Sequence, residues 1–315
     1  MTPQETKAIL TVSLLAAFVD GDKHERERAE IKRIAEGFSA NEALRLPTLY
    51  QDVLMKRVSM ASAASDLATV ESRQLAYEMA VCVCDADGVQ SKAEQRFLED
   101  VRAALAIDAP AAAQFSRTAE EIAAAPLGGN EGAVVPAMSG GASPDDAELD
   151  RTILNASILN GALELLPETL STMAIIPLQM KLVYGIGKAH GYELDRGHVK
   201  DFLATAGVGL TSQFMEQAGR KLLGGLLGKI GGGIGRGLGN QAVSSGMSFA
   251  STYALGHVAK RYYAGGRELS TPMLKDAYAT VMLEARNLQS QYLPAIQEKA
   301  RTLDAGKVLA MVRGA

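Results

Sequence analysis

The chain has 315 residues, ample for two domains with cores of their own, and a single domain is not expected. Alanine, leucine and glycine dominate, tryptophan is absent and β-branched runs are scarce, which favours helices over sheets throughout, and an all-α protein is expected. Residues 1–150 carry 14 Lys and Arg against 25 Asp and Glu, whereas residues 151–315 carry 18 against 11, an acidic half followed by a basic one. That asymmetry suits a water-facing first half and a second half able to meet anionic lipid or the acidic half itself.

In chain order, Ile9, Leu10, Leu14, Ala17 and Phe18 fall at helical spacing, and Asp20 and Gly21 then turn the chain into a charged helix from about His24 whose inner face is Ile31, Ile34 and Phe38. The apolar run Ile9–Val19 is not expected to be a cleaved signal, because only Lys7 precedes it, beside Glu5, and Asp20 follows at once. Helices are expected over Leu46–Val58 and Leu67–Leu75. The first pattern then returns after 67 residues: Tyr77, Ala80, Val81 and Cys84 lead into Asp87 and Gly88, and Phe97, Leu98, Val101 and Leu105 follow. Each copy reads Asp-Gly, five residues, then Glu, ending at Glu27 and Glu94. Two helical hairpins with acidic turns, packed on their apolar faces, are implied. Ser91 and Glu94 also read as a capping box, which gives the turn carboxylates a purely structural role. Cys82 and Cys84, two residues apart on a helix, point in different directions rather than at one metal, and suit the core of a protein in a reducing compartment.

These residues resemble the TerB-like family of tellurite-resistance proteins over about residues 5–125. The resemblance implies a compact helical fold of two pseudo-repeated hairpins, and a divalent cation, the one cofactor expected, on Asp20, Asp22, Glu27, Asp85, Asp87 and Glu94. Hard cations prefer such oxygen ligands, although neither turn carries the EF-hand pattern.

Residues 126–150, rich in Gly, Ser and Pro, read as a flexible linker between domains at 1–125 and 151–290, with 291–315 as a C-terminal helix or tail. Helices are expected over Ile153–Leu166, stopped by Pro167, and over Leu170–His190, turned at Gly191. The next is one amphipathic helix with Val199, Phe202, Leu203, Ala206, Leu210 and Phe214 on a face. Nine glycines then lie between Gly224 and Gly239. Each glycine in a helix interior costs about 1 kcal/mol against alanine, so close helix packing must offset that loss if this stretch is helical. Gly224, Gly228 and Gly232 recur every four residues, as do Gly231, Gly235 and Gly239, and the small stripe continues through Ala242, Gly246, Ala250 and Ala254. A flexible turn at Gly231–Gly233 is the alternative. Gly265 and Gly266 end the following helix, Thr271 and Pro272 open another with Leu274, Ala277, Tyr278, Val281, Ala285 and Leu288 inward, and Pro294 is expected to divide it from a last helix.

Two blocks in this half resemble a YcjF-like domain of bacterial inner-membrane proteins joined to or encoded near GTPases. The first is Pro177, Leu178, Gln179, Lys181, Tyr184, Gly185, Ile186, Lys188 and Gly191; the second is Tyr253, Ala254, Leu255, Gly256, Lys260, Tyr262, Gly265 and Gly266. The resemblance implies a place on the inner face of the bacterial cytoplasmic membrane and a GTPase as partner, with no reaction attached.

Motifs for chemistry fail one by one. Gly228 and Lys229 are followed by Ile230, so no phosphate-binding loop forms, and Gly237, Gly239 and Ala242 match only a loose dinucleotide fingerprint with no strand before it. There is no Gly-x-Ser-x-Gly elbow, and His24, His190, His198 and His257 stand outside any metal-ligand spacing. Basic residues without interleaved aromatics argue against single-stranded nucleic acid. The charge-free run Gly237–Ala259 is long enough to span a bilayer but too polar to do so alone. The sequence therefore predicts a non-enzymatic, membrane-associated or self-associating helical scaffold, with Lys260 and Arg261 near lipid headgroups; the alternatives are a soluble GTPase regulator and a metal-responsive stress protein.

Overall fold

The computed structural model describes residues 1–19, 46–86, 88, 90–128, 145–223 and 246–313, and every regular element among them is a helix. In chain order these are α1 (Pro3–Ala17), α2 (Leu46–Leu54), α3 (Met60–Ser65), α4 (Val70–Cys84), α5 (Lys92–Ala104), α6 (Ala109–Ala123) and α7 (Asp146–Leu165). They continue as α8 (Thr169–Met173), α9 (Ile175–Ala189), α10 (Arg196–Ala206), α11 (Leu210–Leu223), α12 (Met247–Ala264), α13 (Thr271–Thr302) and α14 (Ala305–Arg313). They group into two compact units.

The first unit comprises Met1–Ala124 together with Pro167–Met173 and the described part of Gly209–Gly231, so α8 and α11 join α1–α6. Its centre is α1 against α4. Ile9, Val12, Ala16, Ala76, Ala80 and Val83 lie there essentially without exposure. Both helices start from the same device. Thr2 accepts from the Glu5 amide at 3.1 Å while Glu5 accepts from the Thr2 amide at 2.8 Å, and Thr69 and Ser72 repeat that exchange at 3.1 and 3.3 Å. A pair of hydrogen bonds thus satisfies amides that a helix start leaves open.

Several boundaries differ from the sequence reading. Leu67 is not helical: Asp66 closes α3 and Thr69 opens α4, which runs unbroken from Val70 through the second-copy core residues to Cys84. Helix α2 stops at Leu54 and Lys56 turns with φ 54°. The expected 199–214 helix is two, because Gly207 adopts φ 90° and ends α10; Phe214 then belongs to α11 and to the first unit. The 170–190 helix is interrupted between Met173 and Ile175.

The second unit comprises the described parts of Ala125–Leu166, Ala174–Val208 and Gly232–Ala315. Helix α7 begins at Asp146, earlier than the linker reading allowed, because Asp145 accepts from the Ala147 amide at 2.9 Å and Asp146 and Glu148 lie in the positive first turn. Helices α7 and α12 run antiparallel as the central pair, flanked by α9 and α13. Pro294 does not divide α13, which continues to Thr302: Pro294 is solvent-exposed, and Val281 and Ala285 before it and Ile296 and Ala300 after it are all buried. Packing on both sides of the proline outweighs the one hydrogen bond it removes. The inward stripe of α13 is as expected, with Leu274, Val281 and Ala285 buried and Ala277, Tyr278 and Leu288 partly so.

Candidate functional site

The acidic turn of the second repeat copy joins α4 to α5. Asp85 closes α4, the Gly88 amide donates to the Asp85 carbonyl at 2.8 Å, and Gly88 takes φ 89°, a conformation natural to glycine. Ser91 then opens α5 with the capping box anticipated from its sequence: its hydroxyl accepts from the Glu94 amide at 3.1 Å, and Glu94 accepts from the Ser91 amide at 2.9 Å. Asp85 and Glu94 are only 2% and 4% exposed, so two carboxyl groups are held inside the turn. Of the six expected cation ligands these two are described. Asp20, Asp22, Glu27 and Asp87 lie outside the described residues. Among the described residues, no three His, Cys, Asp or Glu side chains are arranged to hold a metal.

Beside the turn, Cys82 and Cys84 are buried thiols. Burial pushes the Cys82 thiol well up, and Glu78 and Asp85 add to that, so it is a neutral core group rather than a nucleophile. Glu78 accepts from Gln74 Nε2 at 3.2 Å and from the Thr169 hydroxyl at 3.0 Å, yet burial still raises its carboxyl above the ordinary glutamate value.

In the second unit the seam between α7 and α12 collects the residues of interest. Lys260 Nζ lies 2.7 Å from Asp150 Oδ1 and 3.4 Å from Asp146 Oδ1, with its side chain 14% exposed. Burial pulls its pKa down, but the bonds to Asp150 and Asp146 more than reverse this, leaving it raised. His257 Nδ1 faces Asp150 at 3.7 Å, and burial lowers the pKa of both His257 and His190. Lys260 is thus engaged within its own unit, whereas Arg261 beside it is exposed. Of the small-residue stripe, Gly246, Ala250 and Ala254 are buried in this unit. Gly224, Gly228, Gly232, Gly235 and Gly239 lie outside the described residues.

The helices that carry the two sequence blocks of the second half meet in space. Gln179 Nε2 on α9 donates to Ser251 Oγ at 3.1 Å and to Thr252 Oγ1 at 2.9 Å on α12, and a Cβ on Gly187 would lie 3.0 Å from the Tyr263 ring. Sequence reasoning passed over Asn160, Glu164, Ser248 and Thr252, which are buried here. The signal was present as polar residues spaced by four, Asn160 with Glu164 and Ser248 with Thr252, inside mainly apolar helices.

Among the described residues, one stretch, Thr169–Ala189, made of α8 and α9 with the break at Ala174, is long and apolar enough to cross a membrane, with mean hydropathy 1.2 in a window that is 83% buried within the protein. Length and composition alone are satisfied equally by a core helix.

Residues 6–117 match the family described as tellurite resistance protein TerB. No curated protein and no solved structure gives a significant match.

Proposed function

We propose that the protein is a non-enzymatic helical scaffold in a tellurite-type stress response, with its TerB domain as the responsive part and its second unit as a helix-packed platform at the inner face of the bacterial cytoplasmic membrane. The TerB match over residues 6–117 is the observation that carries this reading. Two carboxyl groups enclosed in the turn of that domain, Asp85 and Glu94, supply oxygen ligands for a divalent cation once Asp87 is counted with them. Deleting the gene should lower survival on tellurite, and the full chain should restore it; equal survival of deleted and complemented cells sinks the proposal. Cation binding is read separately. Added divalent ions should raise the melting temperature of the purified protein, and Asp87→Asn should remove the rise while Ser91→Ala, which weakens only the cap, should keep it.

For the membrane contact, exposed Arg261 is the residue free to face headgroups, since Lys260 is paired with Asp150. Sedimentation with anionic vesicles should fall in Arg261→Glu protein and in high salt, by the screening of an exposed charge. Full recovery in the soluble fraction without vesicle binding rejects the membrane part.

A second reading, regulation of a partner GTPase, is favoured by the packing of the two helices that carry the YcjF-like blocks, joined through Gln179 and Thr252. Affinity capture should then recover a GTPase in a nucleotide-dependent manner, and capture indifferent to nucleotide argues against it.

A further inference from the structure

Contacts along α7 and α12 form an antiparallel ladder: Asp150 meets Lys260, Asn160 meets Thr252 and Glu164 meets Ser248. The last two rungs stand four residues apart on each helix, about one turn or 5–6 Å. In the lower rung Asn160 Nδ2 donates to Thr252 Oγ1 at 3.0 Å; in the upper, the Ser248 amide donates to Glu164 Oε2 at 2.8 Å. Asn160, Ser248 and Thr252 are 1%, 0% and 0% exposed. At these rungs Asn160 Oδ1 and Ser248 Oγ are buried without a hydrogen-bond partner. Buried polar atoms are rarely left so, and an internal water is a usual partner.

We propose that one ordered water molecule occupies the seam between the two rungs, bridging Asn160 Oδ1 and Ser248 Oγ. It donates to the Asn160 carbonyl oxygen, which can only accept, and exchanges a hydrogen bond with the Ser248 hydroxyl. Thr252 decides between water and a metal cation. Its hydroxyl oxygen already accepts from Asn160 Nδ2 at 3.0 Å and from Gln179 Nε2 at 2.9 Å, which uses both lone pairs and leaves its proton to be donated. A water oxygen accepts that proton, whereas a cation would be repelled by it.

A high-resolution crystal structure of the full chain should show a single peak within hydrogen-bond distance of Asn160 Oδ1 and Ser248 Oγ. An empty seam, either oxygen bonded directly to a protein donor, or an anomalous peak there after soaking with thallium(I) overturns the proposal. Oxygen-17 magnetic relaxation dispersion provides an independent count of long-lived internal waters in solution. Ser248→Ala, which removes only the hydroxyl from a buried helix position, should lower that count by one, and Asn160→Leu with Ser248→Ala should lower it by no more. An unchanged count in Ser248→Ala overturns the bridge.

Discussion

The Thr69 hydroxyl donates to Glu5 Oε1 at 3.3 Å and so ties the N-terminus of α4 to that of α1. Thr69 and Ser72 each follow Thr2 and Glu5 by 67 residues, the spacing of the two Asp-Gly turns, so the bond joins equivalent caps of the internal repeat. The Thr2 backbone amide foremost, with the Ser72, Thr2 and Thr69 hydroxyls, holds the Glu5 carboxyl below the ordinary glutamate value against the opposing effect of burial. Because the folded pKa is depressed, the stabilisation is present above the unfolded value of about 4.3 and is lost as pH falls through the folded value. Glu5→Gln should lower stability near pH 7 by about 1 kcal/mol, and the difference from wild type should close in acid. Melting curves across that range check it, and a pH-independent difference contradicts it.

Glu78 predicts the opposite sign. Burial raises its carboxyl, so the folded state holds its proton more tightly than the unfolded chain. Stability is then lost as pH rises from about 4.3 through the raised folded value, and above it the whole penalty applies. Glu78→Gln removes the charge and keeps an amide able to bond Gln74 and Thr169. It should stabilise the protein near pH 7 by about 1 kcal/mol or less and do nothing below about pH 4. Denaturant titrations at the two pH values separate these outcomes.

A Cβ on Gly256 would lie 2.7 Å from Ile153 Cγ2, and Ile153 is completely buried. Alanine gains about 1 kcal/mol of helix propensity at that position but forces the Ile153 side chain to shift, an overpacking cost of about 1–3 kcal/mol. Gly256→Ala should therefore lower the melting temperature. At Gly246 a Cβ would fall 1.5 Å from Gln289 Cδ, a nominally worse clash, but there the obstacle is the far end of a flexible, partly exposed side chain. Gly246→Ala should cost less than Gly256→Ala. The reverse order in thermal unfolding overturns the claim that the α7–α12 seam is the tighter contact.

Lys260 and Asp150 anchor the start of α7 to the end of α12 at 2.7 Å. Lys260→Met and Asp150→Asn should each cost about 0.5–1 kcal/mol, with a double-mutant cycle showing coupling of similar size. The Lys260 pKa is raised, so its contribution is complete below about 10.4 and lost as pH rises through the folded value. The coupling energy should accordingly vanish in strong alkali and persist at neutral pH.

Helix content, the internal repeat, the Ser91–Glu94 cap and the glycine stops at Gly191 and Gly266 were legible from sequence because each is decided within a few residues, by periodicity, by a side chain reaching the amide three positions on, or by a backbone turn that glycine takes without strain. The inward face of α13 followed from the same periodicity.

Only tertiary structure decided whether Pro294 would break its helix, since that depends on whether Ile296 and Ala300 find a core on the far side. The same is true of the separation of α11 from α10, where an amphipathic pattern continuous in sequence is divided by Gly207 and its two parts bury their faces in different units. Asn160, Gln179 and Thr252 show the limit most clearly. In sequence each is a polar residue that weakens an apolar face; in the fold, partners 92 and 73 residues apart hydrogen-bond to one another, and burial removes the bulk solvent that would otherwise compete for them. Local spacing determines where helices start and which way they face, while the worth of a buried polar group depends on what arrives from elsewhere in the chain.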